Sequence, residues 1–267
     1  MDTAFDLSPG PDESLDLLAG HWKIFQLKKG HRFSTDDLAV AWRAAVNCPN
    51  IDRMLDIGCG IGSVGLSTLH RLKRPEVRLT GVEAQETSAA MAVRTVRFNG
   101  LQDRVSIVRG DLRDPAVLPE GVKFPLITGS PPYIPEGKGL LSPFPQRAAC
   151  RIELRGSVFD YCAAARRWLE PHGRFVYVMV AADPRTEAAP GANGLVILER
   201  WNFVFRGGRP AHICTIVCAR EEDGPFPPRR EGELVIRNPE GEWTEEYFRF
   251  RAEMGADSLV SRSAEPA

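Results

Sequence analysis

The chain is predicted to be an α/β protein with a mostly parallel sheet of about seven strands and helices on both faces. Three observations predict it. Strand-like and helix-like segments alternate from Arg53 onward. The loops between them are a few residues long, as crossover helices on a parallel sheet require. A glycine-rich turn joins the first of these strands to its helix, where doubly wound sheets hold ligands.

Taken in order, residues 1–13 are acidic and rich in Pro and Gly, so they are expected to be disordered. Residues 14–50 read as a hairpin and a helix packed on the main domain. Trp22–Leu27 and His31–Phe33 would be strands around a Lys28-Lys29-Gly30 turn, and Ser34 or Thr35 would cap a helix reaching Val46. Asp36 and Asp37 in its first turn favour the helix dipole. Residues 51–254 form the main domain. Its strands are expected at Arg53–Ile57, Val77–Glu83, Val105–Arg109, Phe124–Gly129, Arg174–Val180, Val196–Phe205 and His212–Ala219. Helices are expected near Ser63–Arg71, Glu86–Asn99, Gly156–Leu169 and Arg185–Ala192. Only Arg206–Ala211 separates the last two strands, so they form a hairpin and one of them runs antiparallel. Trp243–Met254 would be a short final helix and residues 255–267 a flexible tail; no internal repeat or interdomain linker is visible.

Composition excludes several classes. With 267 residues, 43% apolar and 26% charged, the chain has the balance of a soluble globular protein. It has no run of about 18 uncharged apolar residues, so no membrane span is expected. The first twenty residues carry five acids and no base, the opposite of a signal or transit peptide. Six cysteines, at 48, 59, 150, 162, 214 and 218, form no CxxC pair, and Cys214 and Cys218 lack nearby zinc-type partners. No metal is expected, and the compartment is expected to be reducing and cytoplasmic. The net charge of −1 hides an asymmetry: residues 1–20 carry −5 and residues 221–267 carry −6, leaving +10 on residues 21–220. A basic middle would suit a polyanionic substrate; it is equally compatible with an unevenly charged surface.

The strongest local signal is Met54-Leu-Asp-Ile-Gly-Cys-Gly-Ile-Gly62. Gly58, Gly60 and Gly62 let the backbone turn sharply and approach a ligand closely. From Gly60 to Gly65 the sequence also spells GxGxxG, a dinucleotide fingerprint that is weak alone. Three carboxylates weigh between the cofactors. Asp56 would repel a pyrophosphate and suits a cationic amino acid. Glu83 ends the second strand, where two oxygens can hold both ribose hydroxyls. Asp111 follows the third strand, placed to accept from an adenine amino group while the Leu112 N–H donates to the ring. Spaced by 27 and 28 residues on successive strands, they favour S-adenosylmethionine over NAD. The segment resembles the glycine-rich and acidic signature of class I methyltransferases, a Rossmann-like fold. Cys59 and Ala84, inside the two turns, join the candidate cofactor-binding residues.

The fourth strand ends in Ser130-Pro131-Pro132-Tyr133, similar to the (Asp/Asn/Ser)-Pro-Pro-(Tyr/Phe/Trp) motif of amino-nitrogen methyltransferases. An exocyclic amine or amide shares its lone pair with a π-system and is a poor nucleophile. Two acceptors on its N–H bonds draw the nitrogen toward sp³ geometry and aim the lone pair at the methyl donor. The Ser130 hydroxyl, also adjacent to the cofactor, would be one; the Pro131 carbonyl, left free in a rigid Pro-Pro strip, would be the other. Tyr133 would stack on the planar substrate group. The donor is already cationic, so no base is needed before transfer and rate comes from alignment. Ser130, Pro131, Pro132 and Tyr133 are thus the candidate catalytic residues.

Further segments resemble the bacterial tRNA adenine-N6 methyltransferases that modify the adenine beside the anticodon of a valine tRNA. The resemblance rests on Gln26, on Gly30-His-Arg-Phe-Ser-Thr-Asp36, on Ala148-Ala-Cys-Arg-Ile-Glu153 before a helix, and on Leu234–Glu246 as a closing strand-turn-helix. It spans about Leu18–Met254. It implies N6-methylation of adenine in tRNA and puts Thr35 near the methionine end of the cofactor. Two features depart from the family: Ser130 stands where Asn is usual, and the loop Ile134–Arg151 carries three prolines and a Gly137-Lys-Gly139 hinge. That loop would be a lid over a flipped base, with Arg147 and Arg151 meeting phosphates. Two other functions stay open: methylation of a protein glutamine amide or another nitrogen, and a non-catalytic RNA-associated role that Ser130 keeps in view.

Overall fold

The computed structural model describes residues 7–138 and 142–256. A two-stranded antiparallel sheet opens the chain, β1 (Glu13–Ala19) with β2 (Trp22–Leu27), followed by α1 (Thr35–Asn47). Then come β3 (Arg53–Ile57), α2 (Ser63–Leu72), β4 (Arg78–Glu83), α3 (Glu86–Phe98), β5 (Val105–Arg109) and β6 (Phe124–Gly129). After α4 (Pro145–Arg151) and α5 (Val158–Trp168) follow β7 (Leu169–Val180), α6 (Arg185–Ala192), β8 (Leu195–Val204), β9 (Ile213–Arg220), β10 (Arg230–Val235) and α7 (Glu245–Glu253).

The main sheet runs β10-β8-β9-β7-β6-β3-β4-β5, and within it only β9 is antiparallel to its neighbours. The predicted mostly parallel sheet is therefore present, including the β8–β9 hairpin, with an eighth strand on its edge. That edge strand, Arg-Glu-Gly-Glu-Leu-Val, is mostly polar because solvent reaches it, and an apolar pattern does not mark it. Alternation along each strand serves two cores. Met54 and Leu126 face the layer of α1 and α2, whereas Leu55, Ile57 and Ile127 face the layer containing Tyr161 and Trp168 of α5.

The N-terminal hairpin differs from expectation. The partner of Trp22–Leu27 lies upstream, at Glu13–Ala19, across a turn where Gly20 takes φ 57°. His31–Phe33 forms no strand because side chains take two of its backbone donors. The N–H of His31 donates to Gln146 Oε1 at 2.6 Å and that of Phe33 to Gln26 Oε1 at 2.8 Å. Of the two ends expected to lack order, residues 1–6 and 257–267 lie outside the described residues, and Glu13 already belongs to β1. The hairpin docks on α3, where the Phe25 N–H donates to Thr95 and the Arg94 guanidinium lies 4.2 Å over the Phe25 ring.

The expected loop Ile134–Arg151 contains the helix α4; Gly139 of its expected hinge lies outside the described residues. Its ends are pinned together. Ile134 N–H donates to the Arg151 carbonyl, and Glu153 N–H returns a bond to the Ile134 carbonyl, both at 3.0 Å. Arg185 of α6 reinforces the closure, donating to Glu153 at 2.6 Å, Asp183 at 2.6 Å and the Tyr133 carbonyl at 3.2 Å.

Candidate active site

The carboxyl ends of β3, β4, β5 and β6 open onto one crevice, at the point where strand order reverses about β3. It encloses about 830 Å³, counting space open to solvent. Asp56, Gly58, Cys59, Gly60, Glu83, Ala84, Asp111, Leu112, Ser130 and Pro132 all line it. Gly62 and Thr35, also expected near the cofactor, do not. Gly62 serves the turn, capping α2 with φ 91°, and Thr35 opens α1 beside Ser34, Asp36 and Asp37, which line the crevices instead.

The glycine turn is shaped by close contacts. A Cβ on Gly58 would stand 2.0 Å from the Tyr161 hydroxyl, so α5 requires glycine there. At Gly60, φ 55°, a Cβ would meet nothing within 4 Å; the bare backbone faces the crevice.

Each of the three carboxylates has a protein partner that no motif announces. Asp56 is 1% exposed and braces the turn, accepting from Gly65 N–H at 3.0 Å and from the Thr128 hydroxyl at 2.8 Å. Burial pushes it up to about 7, against the pull of those donors. It is therefore more an internal strut than the open charge expected. Glu83 accepts one backbone N–H on each oxygen, Gly60 at 2.9 Å and Gln85 at 2.6 Å, and keeps lone pairs for further donors. Burial raises its pKa as well. Asp111 is covered by Arg113, which donates to both oxygens, the shorter bond at 2.6 Å, and holds the carboxyl below its usual range. An amino group reaching Asp111 must share it with that guanidinium. The Leu112 N–H has no acceptor among the described residues.

A second crevice of about 1520 Å³, again counting open space, adjoins the first; Ser130, His31, Asp37 and Cys150 line both. Pro131, Tyr133, Arg147 and Arg151 line the second, so the predicted chemistry motif and the predicted cations share one cavity. The Ser130 hydroxyl is buried with no hydrogen-bond partner, and the Pro131 carbonyl accepts from no donor among the described residues. The Tyr133 phenol, by contrast, is engaged, donating to Asp36 Oδ2 at 2.7 Å. Neither Arg147 nor Arg151 forms an ion pair among the described residues.

Residues without a sequence signal complete the walls. Gln146 of α4 receives the His31 N–H and donates to Ser88 of α3 at 3.3 Å, joining α4 to the segment before α1 and to α3. Gln85 donates to Cys150 Sγ at 3.4 Å, and burial pushes that thiol up to about 12. Asp37 closes a capping box with Ser34 and accepts from Ser63 of α2 at 3.2 Å. Among the described residues no cluster of His, Cys, Asp or Glu is arranged to hold a metal, and no helix is long and apolar enough to cross a membrane.

A parallel sheet with one reversed strand, a glycine turn and successive acidic strand ends around a single crevice is the architecture of class I S-adenosylmethionine-dependent methyltransferases. The fit to that cofactor rests on the bare Gly60 backbone, the lone pairs of Glu83, the unpaired Leu112 N–H and the unpartnered Ser130 hydroxyl at the far end of the crevice. The methyltransferase small domain family model matches residues 33–186, and the chain belongs to that family. It is 32% identical over 217 residues to a Shewanella amazonensis protein named tRNA1(Val) (adenine(37)-N6)-methyltransferase, covering 81% of this chain and 88% of that one. A release factor glutamine methyltransferase of Mycobacterium leprae is 28% identical over 150 residues, 51% of this chain and 49% of its own length. Several curated relatives are spanned by the chain over only 27–58% of their length. Among solved structures, an Agrobacterium tumefaciens protein described as a predicted O-methyltransferase superposes with a TM-score of 0.58 at 18% identity, covering 83% of this chain and 97% of that one. That likeness concerns the fold.

Proposed function

We propose that the chain methylates the exocyclic amino nitrogen of an adenine in RNA, with tRNA as the substrate. The observation that carries this reading is the pair of unsatisfied acceptors where the two crevices meet: the buried Ser130 hydroxyl oxygen and the Pro131 carbonyl. When bound, S-adenosylmethionine supplies a methyl group activated by its sulfonium. Glu83 would hold the ribose, Asp111 and the Leu112 N–H the adenine ring, and the bare Gly60 backbone the amino-acid side, with Asp56 keeping that turn in shape. Ser130 and Pro131 would each accept one N–H of the substrate amine, which takes the nitrogen lone pair out of conjugation and aims it along the crevice. Pro132 stiffens this strip. Tyr133 offers its ring face to a planar base, and an unstacked nucleotide would expose such a face.

The second crevice supports a nucleic acid over a protein acceptor. Lys28, Lys29, Arg32, Arg147 and Arg151 line it, and the last two have no acidic partner among the described residues. Cations in that arrangement suit phosphates on either side of an extruded base. The relative from Shewanella amazonensis supports the same choice by its name. A tRNA substrate would put the work of the chain in the cytoplasm. Mass spectrometry of tRNA nucleosides from cells with and without the gene tests the reading. Loss of N6-methyladenosine from one tRNA is expected; an unchanged tRNA profile with loss of a methylated glutamine would reject it.

A further inference from the structure

The phenol of Tyr133 is tied to Asp36, 97 residues earlier in the chain, by a bond of 2.7 Å. Both residues line the second crevice, beside Ser130 and Pro131. We infer that Asp36 is a positioning residue for methyl transfer, fixing the ring of Tyr133 so that the acceptor group is held against the Ser130–Pro131 strip; this rests on the function proposed above.

The physical case is that a phenol packed against both cores is oriented most firmly when its hydroxyl is tied as well. At the backbone end, Arg185 donates to the Tyr133 carbonyl at 3.2 Å. At the far end the only hydrogen-bond acceptor for the hydroxyl among the described residues is Asp36 Oδ2. A bond from a neutral O–H to a carboxylate is charge-assisted and stronger than its neutral counterpart. Burial, and then the Asp36 charge, push the phenol pKa well above its usual value, so it stays a donor at working pH. Asp36 is itself held in place. It is the second residue of α1, next to Asp37, which closes the capping box with Ser34 and accepts from Ser63 in the first turn of α2. Ser63 directly follows the glycine turn. One continuous set of contacts thus runs from the cofactor turn through the start of α1 to the ring expected to meet the substrate. The Asp36 carboxylate accepts from no other donor among the described residues, so its removal unties Tyr133 and otherwise takes only one charge from the first turn of α1.

A double-mutant cycle tests this. Asp36→Ala, Tyr133→Phe and the double variant are compared in single-turnover transfer of labelled methyl to whichever acceptor the wild type labels, bulk tRNA or total protein. Each single variant is expected to slow transfer roughly tenfold and the double variant no further, because both remove the same bond. Asp36→Asn, whose amide oxygen still accepts, is expected to keep the rate within about threefold of wild type. Cofactor affinity by calorimetry should be unchanged throughout. Additive losses, of roughly 100-fold in the double variant, would overturn the assignment. So would an Asn variant as slow as the Ala variant, or a loss of cofactor binding in step with the rate. If the wild type labels protein and spares tRNA, the acceptor proposed above is wrong while the cycle still judges Asp36. If it labels neither, both proposals fall.

Discussion

Ser130 and Asp56 illustrate two opposite fates of a buried polar side chain. The Ser130 hydroxyl has no partner, so its removal frees no other group and should leave stability unchanged. Ser130→Ala is therefore expected to keep its melting temperature while losing about 10- to 100-fold in methyl-transfer rate, the order of one transition-state hydrogen bond. A loss of stability in parallel would make Ser130 a structural residue. Asp56 is fully engaged, and burial raises it to about 7. Below about pH 4 it is protonated whether the chain is folded or unfolded and contributes nothing to pH dependence. Between about pH 4 and 7 the unfolded chain binds fewer protons than the folded one, so stability falls as pH rises, and above about 7 the penalty is constant. Relative to wild type, Asp56→Asn should gain stability across that window and be parallel above it, as read from melting temperature against pH without cofactor. Much of this site is legible in the sequence because it is local: the glycine turn and the acids at strand ends each follow from a few adjacent residues. Partners chosen by the fold are not legible. Arg113 lies two residues from Asp111, yet no pattern marks it as the cover of that carboxylate, and the Asp36–Tyr133 and His31–Gln146 contacts span 97 and 115 residues.

Among the elements, α4 shows how a proline-rich loop becomes a wall of the site. Pro145 sits in the first turn of the helix, where its missing N–H costs nothing, and Gln146 turns inward while Arg147 and Arg151 face the second crevice. The sequence places both cations near the chemistry motif but conceals the helix, because seven residues are too few for a visible period. The paired cations make a prediction at this scale. Arg147→Gln and Arg151→Gln should each lower the slope of log affinity for tRNA against log salt by about one, with no change in cofactor binding. An unaltered slope would remove α4 from the substrate interface. The hairpin β1–β2 is hidden for a related reason. Pairing is decided by which backbone donors are still free, and those of His31 and Phe33 are taken by Gln146 and Gln26.

The whole molecule is closed at its far edge by a charge cluster. Glu199 of β8, 1% exposed, meets Arg43 of α1 at 2.7 Å and Arg230 of β10 at 2.8 Å, and the Arg43 guanidinium lies 4.1 Å from the Trp201 ring centroid. This joins the helix that carries Asp36 to the strand that extends the sheet beyond seven. Removing Glu199 leaves the Arg43 charge buried without its partner, so Glu199→Ala should cost about 3–5 kcal/mol in denaturant unfolding. A cost below about 1 kcal/mol would mean the pair is solvated in solution. The mostly parallel sheet, its one reversed strand and the crevice follow from alternation visible in the sequence, whereas the strand order, the pairing of β10 and this cluster depend on contacts that close only in the folded chain. On the function proposed above, sheet, crevices and cations would serve one event, delivery of a methyl group to an adenine amine where the two crevices meet. Incubation with radiolabelled S-adenosylmethionine and bulk tRNA, followed by nuclease digestion and chromatography, measures that delivery. Label is predicted in N6-methyladenosine. Label found only in protein, or in another nucleoside, would contradict it.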